Sequence, residues 1–379
     1  MTERAANRIA EAKRMVVKIG SALLVDDAAG RIRRDWLDAL ADDVAECRKA
    51  GQEVVIVTSG AIAAGKRLLG LTGNALKLEE KQAAAAAGQV RLAHAYQESL
   101  ARHSIAAAQV LLTLSDTEER RRHLNARATL LTLLGLGAVP VINENDTVAT
   151  EEIRFGDNDR LGARVAQMVS ADTLVLFSDI DGLYTATPKT DPAARHIGEL
   201  TEITPAIEAM AGAPINADSH GGMITKIEAA KIAFGAGCRM AIADGRGFHP
   251  LRALREGARC TWFLPPAEPR TARKRWIASA IVAGGGVTVD EGAAKALRGG
   301  RSLLPAGIVA VDGRFKRGDA ISVRDKAGRE IARGLSAYSA EDAGRIKGRK
   351  SGETEAILGY RGRDELIHRD DLVLVERSG

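Results

Sequence analysis

The chain has 379 residues, enough for more than one domain, and its hydrophobic content of 45% and charged content of 27% are ordinary for a globular protein. Aromatic residues make up only 3%, which argues against a protein built around base stacking. The net charge of +5 is uneven: residues from Thr271 onward carry 21 Lys and Arg against 15 Asp and Glu, whereas the first 270 residues carry 33 against 34. The basic C-terminal part indicates either a polyanionic partner or a solubilising surface.

The first two thirds of the chain alternate strand and helix patterns. Strands are predicted at 14–19, 53–57, 106–112, 139–142, 173–177 and 239–243, and helices at 35–50, 76–100, 124–134, 160–168 and 226–234. The run Glu53–Val57 is almost continuously apolar and β-branched, which is typical of a parallel strand buried on both faces. Repeated βα units predict an α/β domain over residues 1–264, with a doubly wound, mainly parallel sheet sandwiched by helices.

The pattern changes near the segment FLPPAEPR, which predicts a linker at 265–274. Beyond it, short strand patterns separated by Gly and Asp turns predict a small β-rich barrel at the C-terminus, over 275–379. The strand patterns are GVTVDEGA, GIVAVDGRF, RGDAISVRD, GREIARGL, EAILGY and DLVLVE.

The sequence contains few signals of cellular location or of a metal site. The N-terminal MTERAANRIAEAKR lacks the apolar core of a secretory signal, and the longest uncharged stretch, 128–143, has 16 residues with two glycines and a proline, too short for a membrane span. No CxxC spacing joins the cysteines Cys47, Cys238 and Cys260, and no HxxxH or HxxEH spacing occurs. The sequence therefore predicts a cytoplasmic protein without a resident metal.

The polar residues that carry chemistry gather at the ends of predicted elements. They lie in VPVINENDTV, FGDNDRLGARVA and LVLFSDIDGLY, where nine acids and amides fall at element ends: Asn143, Glu144, Asn145, Asp146, Asp157, Asn158, Asp159, Asp179 and Asp181. Ligands of open α/β sheets bind outside the carboxyl ends of the strands. This placement indicates a polar small molecule with an organised cation. For Asp179 and Asp181, metal binding and a turn are both open, and the turn is favoured for Asp181.

Glycine-rich turns add candidate phosphate sites. KIGS (18–21) and TSGA (58–61) each follow a predicted strand, and GGMITK (221–226) opens a helix. A lysine at a helix start, as at Lys226, opposes the helix dipole, so a bound polyphosphate explains it better than stability does, although a surface lysine stays an alternative. The stretch Gly60–Lys66 imitates a P-loop, but Arg67 stands where Ser or Thr would hold magnesium, and we reject that reading.

Taken in order, VVKIGS, IVTSGAIAAG, HLNARATL, VPVINENDTV, FGDNDRLGA, SDIDGLYTATP and GGMITK resemble the glutamate 5-kinase family of the amino acid kinase superfamily. KRWIASA, TVDEGA, SLLPAGI, AILGY and IHRDD resemble the PUA domain that many of these kinases carry. The pair INEND and GDND is the specific part, because distant relatives share only the lysines and glycines.

The resemblance implies transfer of the γ-phosphoryl group of ATP to the γ-carboxylate of L-glutamate, the first step toward proline. It further implies Mg²⁺ held through the ATP phosphates, feedback inhibition by proline, and a homo-oligomer, dimer or tetramer. By motif, Lys18 and Lys226 would bind phosphates and stabilise the transferring group, and Asp159 would hold both lysines. The remaining expected contacts are Ser59, Gly60, Ala61, Asp146 and Asn158 for glutamate, and Lys18, Gly20, Ser21, Ser178, Asp179, His220, Gly221, Gly222, Met223, Ile224, Thr225 and Lys226 for ATP.

Two positions depart from the common family loop GTGGMSTK, since His220 replaces a Thr and Ile224 replaces a Ser. Three other functions are weighed. A kinase of the same superfamily acting on acetylglutamate, aspartate or a nucleoside monophosphate is disfavoured by INEND with GDND. An RNA-binding or RNA-modifying protein is suggested by the basic C-terminal part but opposed by the scarcity of aromatics. A catalytically inactive proline sensor is disfavoured because both lysines and Asp159 are retained.

Overall fold

The computed structural model describes residues 8–26, 30–71, 76–149, 157–186, 188, 191–210, 222–266 and 284–375. The chain divides into two compact units, Met1–Pro269 and Arg270–Gly379. The division lies within the predicted linker, whose limits at 265 and 274 stay a prediction, because part of that segment is outside the described residues. In the described ranges no helix is both long and apolar enough to cross a membrane.

The first unit alternates strands and helices. Its strands are β1 (Arg14–Ile19), β2 (Val25–Asp26), β3 (Arg31–Ile32), β4 (Glu53–Val57), β5 (Ala107–Leu112), β6 (Val139–Glu144), β7 (Thr173–Ser178), β8 (Leu183–Tyr184), β9 (His196–Ile197), β10 (Glu199–Leu200), β11 (Arg239–Asp244) and β12 (Cys260–Phe263). Its helices are α1 (Ser21–Leu24), α2 (Arg34–Lys49), α3 (Ala61–Lys66), α4 (Leu78–Ala101), α5 (Leu114–Glu118), α6 (Arg120–Gly135), α7 (Asp157–Val169), α8 (Pro205–Met210), α9 (Met223–Gly235) and α10 (Pro250–Arg255). The elements predicted from the sequence are present to within a few residues.

An eight-stranded sheet organises this unit, in the order β10-β12-β11-β7-β1-β4-β6-β5. The six strands from β11 to β5 are parallel, and β12 runs antiparallel to β11. Strand β1 lies between β4 on one side and β7 on the other, so the chain changes direction across the sheet there. The predicted fold class, a doubly wound and mainly parallel α/β sheet, is confirmed.

Helices cover both faces of the sheet, which explains the continuous apolar strands. Met15, Val17 and Ile19 of β1 pack on one face in a core that also contains residues of α2 and α4. Val16 packs on the opposite face with residues of α6, α7 and α9. Because side chains alternate along a strand, Lys18 follows Val16 onto the face covered by α7.

The second unit contains a five-stranded sheet of order β14-β13-β15-β16-β17. The strands are β13 (Gly285–Val289), β14 (Ile308–Gly313), β15 (Ala320–Arg324), β16 (Glu330–Leu335) and β17 (Leu372–Leu374), and the helices are α11 (Glu291–Arg298), α12 (Ala340–Ile346) and α13 (Thr354–Leu358). It has its own core, centred on buried Val287, Ile321, Val323 and Tyr338. The prediction of a separate β-rich C-terminal unit is confirmed.

One strand prediction in this unit was wrong. The pattern EAILGY forms the short helix α13 rather than a strand. Thr354 and Leu358, four residues apart, are both buried, which is helical spacing. Gly359 ends the helix with φ of 80°, a conformation that glycine adopts without strain.

Candidate active site

The candidate site lies at the carboxyl ends of the parallel strands, on both sides of β1. Lys18 is near the end of β1, Ser59 follows β4, Asn143 lies near the end of β6, and Ser178 ends β7. Strand order reverses at this point, and open α/β sheets bind ligands in such a crevice.

Three charged side chains from distant parts of the chain meet here. Nζ of Lys18 lies 2.5 Å from Oδ1 of Asp159, and Nζ of Lys226 lies 3.0 Å from Oδ2 of the same carboxylate. All three residues are buried, with Asp159 at 0% exposure. The structure therefore brings together the lysines and the aspartate that the sequence singled out.

In this triad of Lys18, Asp159 and Lys226, burial and neighbouring charges shift the pKa values of Lys18 and Asp159. Burial lowers the pKa of Lys18 below its ordinary 10.5; the neighbouring Lys226 also lowers it, and Asp159 opposes both effects. Burial opposes ionisation of Asp159, but the two ammonium groups outweigh it, so the pKa of this carboxyl lies below its ordinary 3.8. At neutral pH Asp159 is therefore an ionised carboxylate, and it lies between the side chains of Lys18 and Lys226.

Two members of the triad lie in the first turn of a helix. Asp159 lies in the first turn of α7, where the helix dipole favours a negative charge. Lys226 lies in the first turn of α9, where the dipole disfavours a positive charge. Oγ1 of Thr225 is 3.0 Å from both Oδ2 of Asp159 and the carbonyl of Gly222, so a residue predicted to contact ATP also touches the aspartate.

Asn158 joins the ends of two strands. Its Nδ2 donates to the Thr58 carbonyl at 2.9 Å, to Oγ of Ser59 at 2.9 Å and to Oδ1 of Asn143 at 3.1 Å. Its Oδ1 is buried and has no hydrogen-bond partner among the described residues. Two of the residues predicted to bind glutamate, Ser59 and Asn158, are thus in direct contact.

Three residues of this network were missed by sequence reasoning as site residues. Nδ2 of Asn143 donates to Oε1 of Gln89 at 2.7 Å, and the hydroxyls of Tyr96 and Thr58 lie 2.9 Å apart. Gln89 and Tyr96 both belong to α4, an Ala-rich helix in which the only signal was a periodicity typical of packing. Asn143 was noted at a strand end but was not assigned a role.

The turn after β4 has a backbone that requires glycine. Gly60 has φ of 95°, and a Cβ there would lie 2.9 Å from Cγ2 of Val25. Ala61 begins α3, so the first turn of this helix, where backbone N–H groups lack intrahelical partners, directly follows Ser59 and Gly60. Ala61 is buried, and Ser59 is half-buried.

The other predicted residues occupy the same edge of the sheet or lie outside the description. The Gly20 amide donates to the Phe177 carbonyl at 3.2 Å, which ties the turn before Ser21 to β7. Oγ of Ser178 donates to Asp179 at 3.0 Å. Asp146 is buried at 8% exposure. Met223 and Ile224 begin α9, whereas His220 and Gly221 lie outside the described residues.

Asp181 participates in its own turn. The Tyr184 hydroxyl donates to its carboxylate at 2.9 Å, and Arg259 lies 3.5 Å away. Within the described ranges, no three His, Cys, Asp or Glu side chains form a group that could hold a metal ion. The contact with Tyr184 lies within the turn, and the choice between metal binding and a turn for Asp179 and Asp181 stays a prediction.

Comparisons with known proteins cover both units. The amino acid kinase family matches residues 13–244, and the PUA domain matches residues 285–358. A glutamate 5-kinase of Paramagnetospirillum magneticum is 66% identical over 366 residues, covering 97% of this chain and 99% of that protein. A glutamate 5-kinase of Rhodospirillum rubrum is 60% identical over 362 residues, covering 96% of each.

Among solved structures, a UMP kinase from Bacillus anthracis superposes with a TM-score of 0.47 at 14% identity, over 68% of this chain and 97% of that chain. A similarity this low does not bear on the substrate.

Proposed function

The chain belongs to the amino acid kinase family and, within it, to the glutamate 5-kinases, and from this premise we propose that it transfers the γ-phosphoryl group of ATP to the γ-carboxylate of L-glutamate. The resemblance stated from the motifs is confirmed by identities of 58–66% over nearly the whole chain. The observation that carries the mechanism is the buried triad of Lys18, Asp159 and Lys226.

The chemistry requires positive charge more than it requires a base. The glutamate carboxylate is already ionised and nucleophilic at neutral pH, so no group needs to remove a proton from it. Bringing it to ATP places anions against each other, and phosphoryl transfer depends on positioning and on neutralising charge at the transferring group. Lys18 and Lys226 supply two cations, and the contacts with Asp159 hold their ammonium groups close together.

Anion-binding backbone groups complement the lysines. Helix α9 begins at Met223, after Gly222, and directs its N–H groups toward the same region as Lys226. A phosphate there would compensate the unfavourable position of this lysine in the first helical turn. We assign the ATP phosphates to this end of the site, together with Gly20, Ser21, Ser178 and Asp179.

The neighbouring hydrogen-bond network supports the glutamate pocket. Ser59, Asp146 and Asn158 lie at the ends of β4 and β6 and at the start of α7, on the side of β1 opposite to β7. The buried Oδ1 of Asn158, without a partner among the described residues, is an acceptor suited to the ammonium group of an amino acid. We propose that these three residues bind glutamate beside the lysines.

Magnesium enters this proposal with ATP. Hard cations prefer oxygen ligands, and Mg²⁺ is commonly held by substrate phosphates with one or two carboxylates, for which Asp179 at the end of β7 is the nearest match. Bound there, it would neutralise charge on the phosphates. The protein's own contribution is the pair of lysines.

Three finer assignments belong to the proposal. Proline shares an α-carboxylate and a cationic nitrogen with glutamate, which supports feedback inhibition at the same pocket. A homo-oligomer is supported by the exposed apolar side chains Val90 and Leu136, at 71% and 79%, and by β5, which pairs on one side only within the described residues. The free cysteines Cys47, Cys238 and Cys260 are compatible with a reducing cytoplasm.

The direct test is an acceptor screen with ATP and Mg²⁺. Acyl phosphates react with hydroxylamine, so the full chain is incubated with glutamate, aspartate, acetylglutamate or UMP, and the hydroxamate from the acids and ADP release from all four are measured, with and without proline. We expect hydroxamate and ADP with glutamate, reduced by proline. Comparable turnover of another acceptor, with none of glutamate, would overturn the proposal.

A further inference from the structure

Helix α4 contacts residues of the candidate glutamate pocket through two side chains on one of its faces. Gln89 and Tyr96 are seven residues apart, so they point in the same direction two helical turns from each other. Gln89 accepts from Asn143, and Tyr96 meets the hydroxyl of Thr58. Asn143 and Thr58 are in turn both acceptors for Nδ2 of Asn158.

The directions of the hydrogen bonds from Asn158 through Asn143 to Gln89 follow from one backbone group. The Thr58 carbonyl can only accept, so the atom of Asn158 beside it must be the amide nitrogen. The Asn143 atom facing that nitrogen must then be its oxygen, which turns the Asn143 nitrogen toward Gln89. Gln89 is therefore required as an acceptor.

Because these side chains are buried, each of them needs its hydrogen-bond partner within the protein. Gln89 is 9% exposed, Asn143 is 1% exposed, and Tyr96 is 1% exposed, so water cannot easily replace a missing partner. Without the acceptor on Gln89, the buried amide nitrogen of Asn143 would lose this partner, and turning the amide over would place that nitrogen against the amide nitrogen of Asn158, so neither orientation of Asn143 would be satisfied. The Asn158 amide would keep its contacts with the Thr58 carbonyl and with Ser59 but would lose a fixed acceptor at Asn143, so its side chain would be held less firmly.

We propose that Gln89 is a positioning residue that keeps Oδ1 of Asn143 turned toward Asn158 and so helps to hold the Asn158 side chain in place, and that Tyr96 supports the same side chain through Thr58. The inference rests on the proposed function, since Asn158 is taken to bind the amino acid. The effect is confined to the acceptor side of the site. We call the hydrogen bonds that link Gln89 and Tyr96 to Asn158 the relay. The ATP side depends on Lys18 and Lys226, which are not part of it.

Four variants of the full chain test the relay. Gln89→Met keeps the size of the side chain but removes the acceptor, whereas Gln89→Glu keeps an accepting oxygen. Tyr96→Phe removes one hydroxyl. Gln97→Met is the matched control, since Gln97 is exposed on the same helix. Steady-state kinetics with glutamate and ATP varied separately are combined with thermal unfolding of each variant.

For Gln89→Met we expect the KM for glutamate to rise about tenfold, equivalent to about 1.4 kcal/mol, with the KM for ATP unchanged. Gln89→Glu should restore the KM for glutamate to within about threefold of the wild type, because one accepting oxygen remains. Tyr96→Phe should raise it about threefold, since one buried hydroxyl contact is lost. Gln97→Met should behave as the wild type.

The relay is overturned if the KM for glutamate is unchanged in Gln89→Met. It is also overturned if the KM values for glutamate and ATP rise equally in that variant. Should Gln89→Met not fold, Tyr96→Phe decides: a normal KM for glutamate there counts against positioning by α4. An inactive wild type would instead overturn the proposed function, and the inference with it, so the two failures are distinguishable.

Discussion

Asp159 determines the charge balance of the candidate active site. It is fully buried between two ammonium groups, and burying charges costs free energy that their attraction repays only with close contacts. A less polar cluster of the same volume would fold as well or better. The triad is therefore better explained by the need for two fixed cations than by stability.

Lys226→Ala tests the role of one cation. We expect kcat to fall by roughly 10²–10³, by analogy with the loss of a single charge-stabilising donor, while the KM for glutamate changes far less. The control is Lys231→Ala on the same helix, because Lys231 is exposed and pairs with Glu208 at 2.6 Å. Steady-state kinetics that give Lys226→Ala a near-normal kcat would remove this lysine from the chemistry.

The lowered pKa of Lys18 predicts an alkaline limit to activity. The protonated form is the one that neutralises phosphate charge, so kcat should decline as the pH rises, beginning below 10.5, the ordinary pKa of lysine. Asp159 stays ionised throughout this range, because its pKa lies below 3.8. The residual activity of Lys18→Arg should lack this decline, since a guanidinium stays charged. A kcat that is flat up to about pH 10 in the wild type would contradict the assignment.

The sequence predicted some residues of the candidate site and missed others. Lys18, Asp159 and Lys226 fall at element ends within recognisable motifs, so their meeting could be anticipated from strand order and resemblance. Gln89 and Tyr96 lie inside a helix whose hydrophobic pattern indicates only which of its residues are buried. Their partners on β6 and after β4 are distant in sequence, and a single chain gives no signal that links them.

At the scale of elements, α3 and α4 pack at backbone contact. A Cβ at Gly65 would lie 1.8 Å from the Ala84 carbonyl oxygen, and a Cβ at Gly88 would lie 1.8 Å from the Ala61 carbonyl oxygen. The two glycines thus let the helix that follows the Ser59 turn rest directly on the helix that carries Gln89. This contact fixes the distance between the glutamate-side turn and α4.

Gly65→Ala should therefore separate the two helices and destabilise the protein by about 3 kcal/mol, the upper range for overpacking. Gly135→Ala is the control, since that helical position has no atom within 4 Å of an added Cβ, and it should be neutral or stabilising by about 0.5–1 kcal/mol. Chemical denaturation measures both. Equal stabilities for the two variants would show that α3 and α4 tolerate a wider spacing.

Long elements were predictable because their periodicity extends over several turns or a whole buried strand. The helix α4 and the strands β1, β4 and β7 were anticipated almost to their ends. The segment Thr354–Leu358 was not, because five residues fit an alternating pattern and a single helical turn equally well. Its outcome is determined by tertiary contacts of Thr354 and Leu358, which local sequence does not encode.

At the scale of the whole molecule, the residues proposed to bind substrates belong to one unit. Each of them precedes residue 227, inside Met1–Pro269, while the second unit has a separate core and carries the excess of positive charge. The sequence alone predicted that the motifs of the candidate site lie in the first unit and that the second unit is basic and β-rich.

A chain truncated after residue 269 should accordingly fold and phosphorylate glutamate, with kcat within about threefold of the full chain, as expected for a unit with its own core. The same hydroxamate measurement applies, and a truncated Lys226→Ala variant provides the background. Loss of activity in a truncated chain that retains a cooperative unfolding transition would show that the second unit contributes to catalysis.

The separation of Lys18 and Lys226 along the polypeptide has a consequence during biosynthesis. Lys18 is synthesised early, but its strand β1 pairs with β4 and β7, and Lys226 is supplied only when α9 has been made. A chain that ends before α9 therefore contains only one of the two lysines proposed to bind the phosphates. Competence to consume ATP arrives together with the finished tertiary structure.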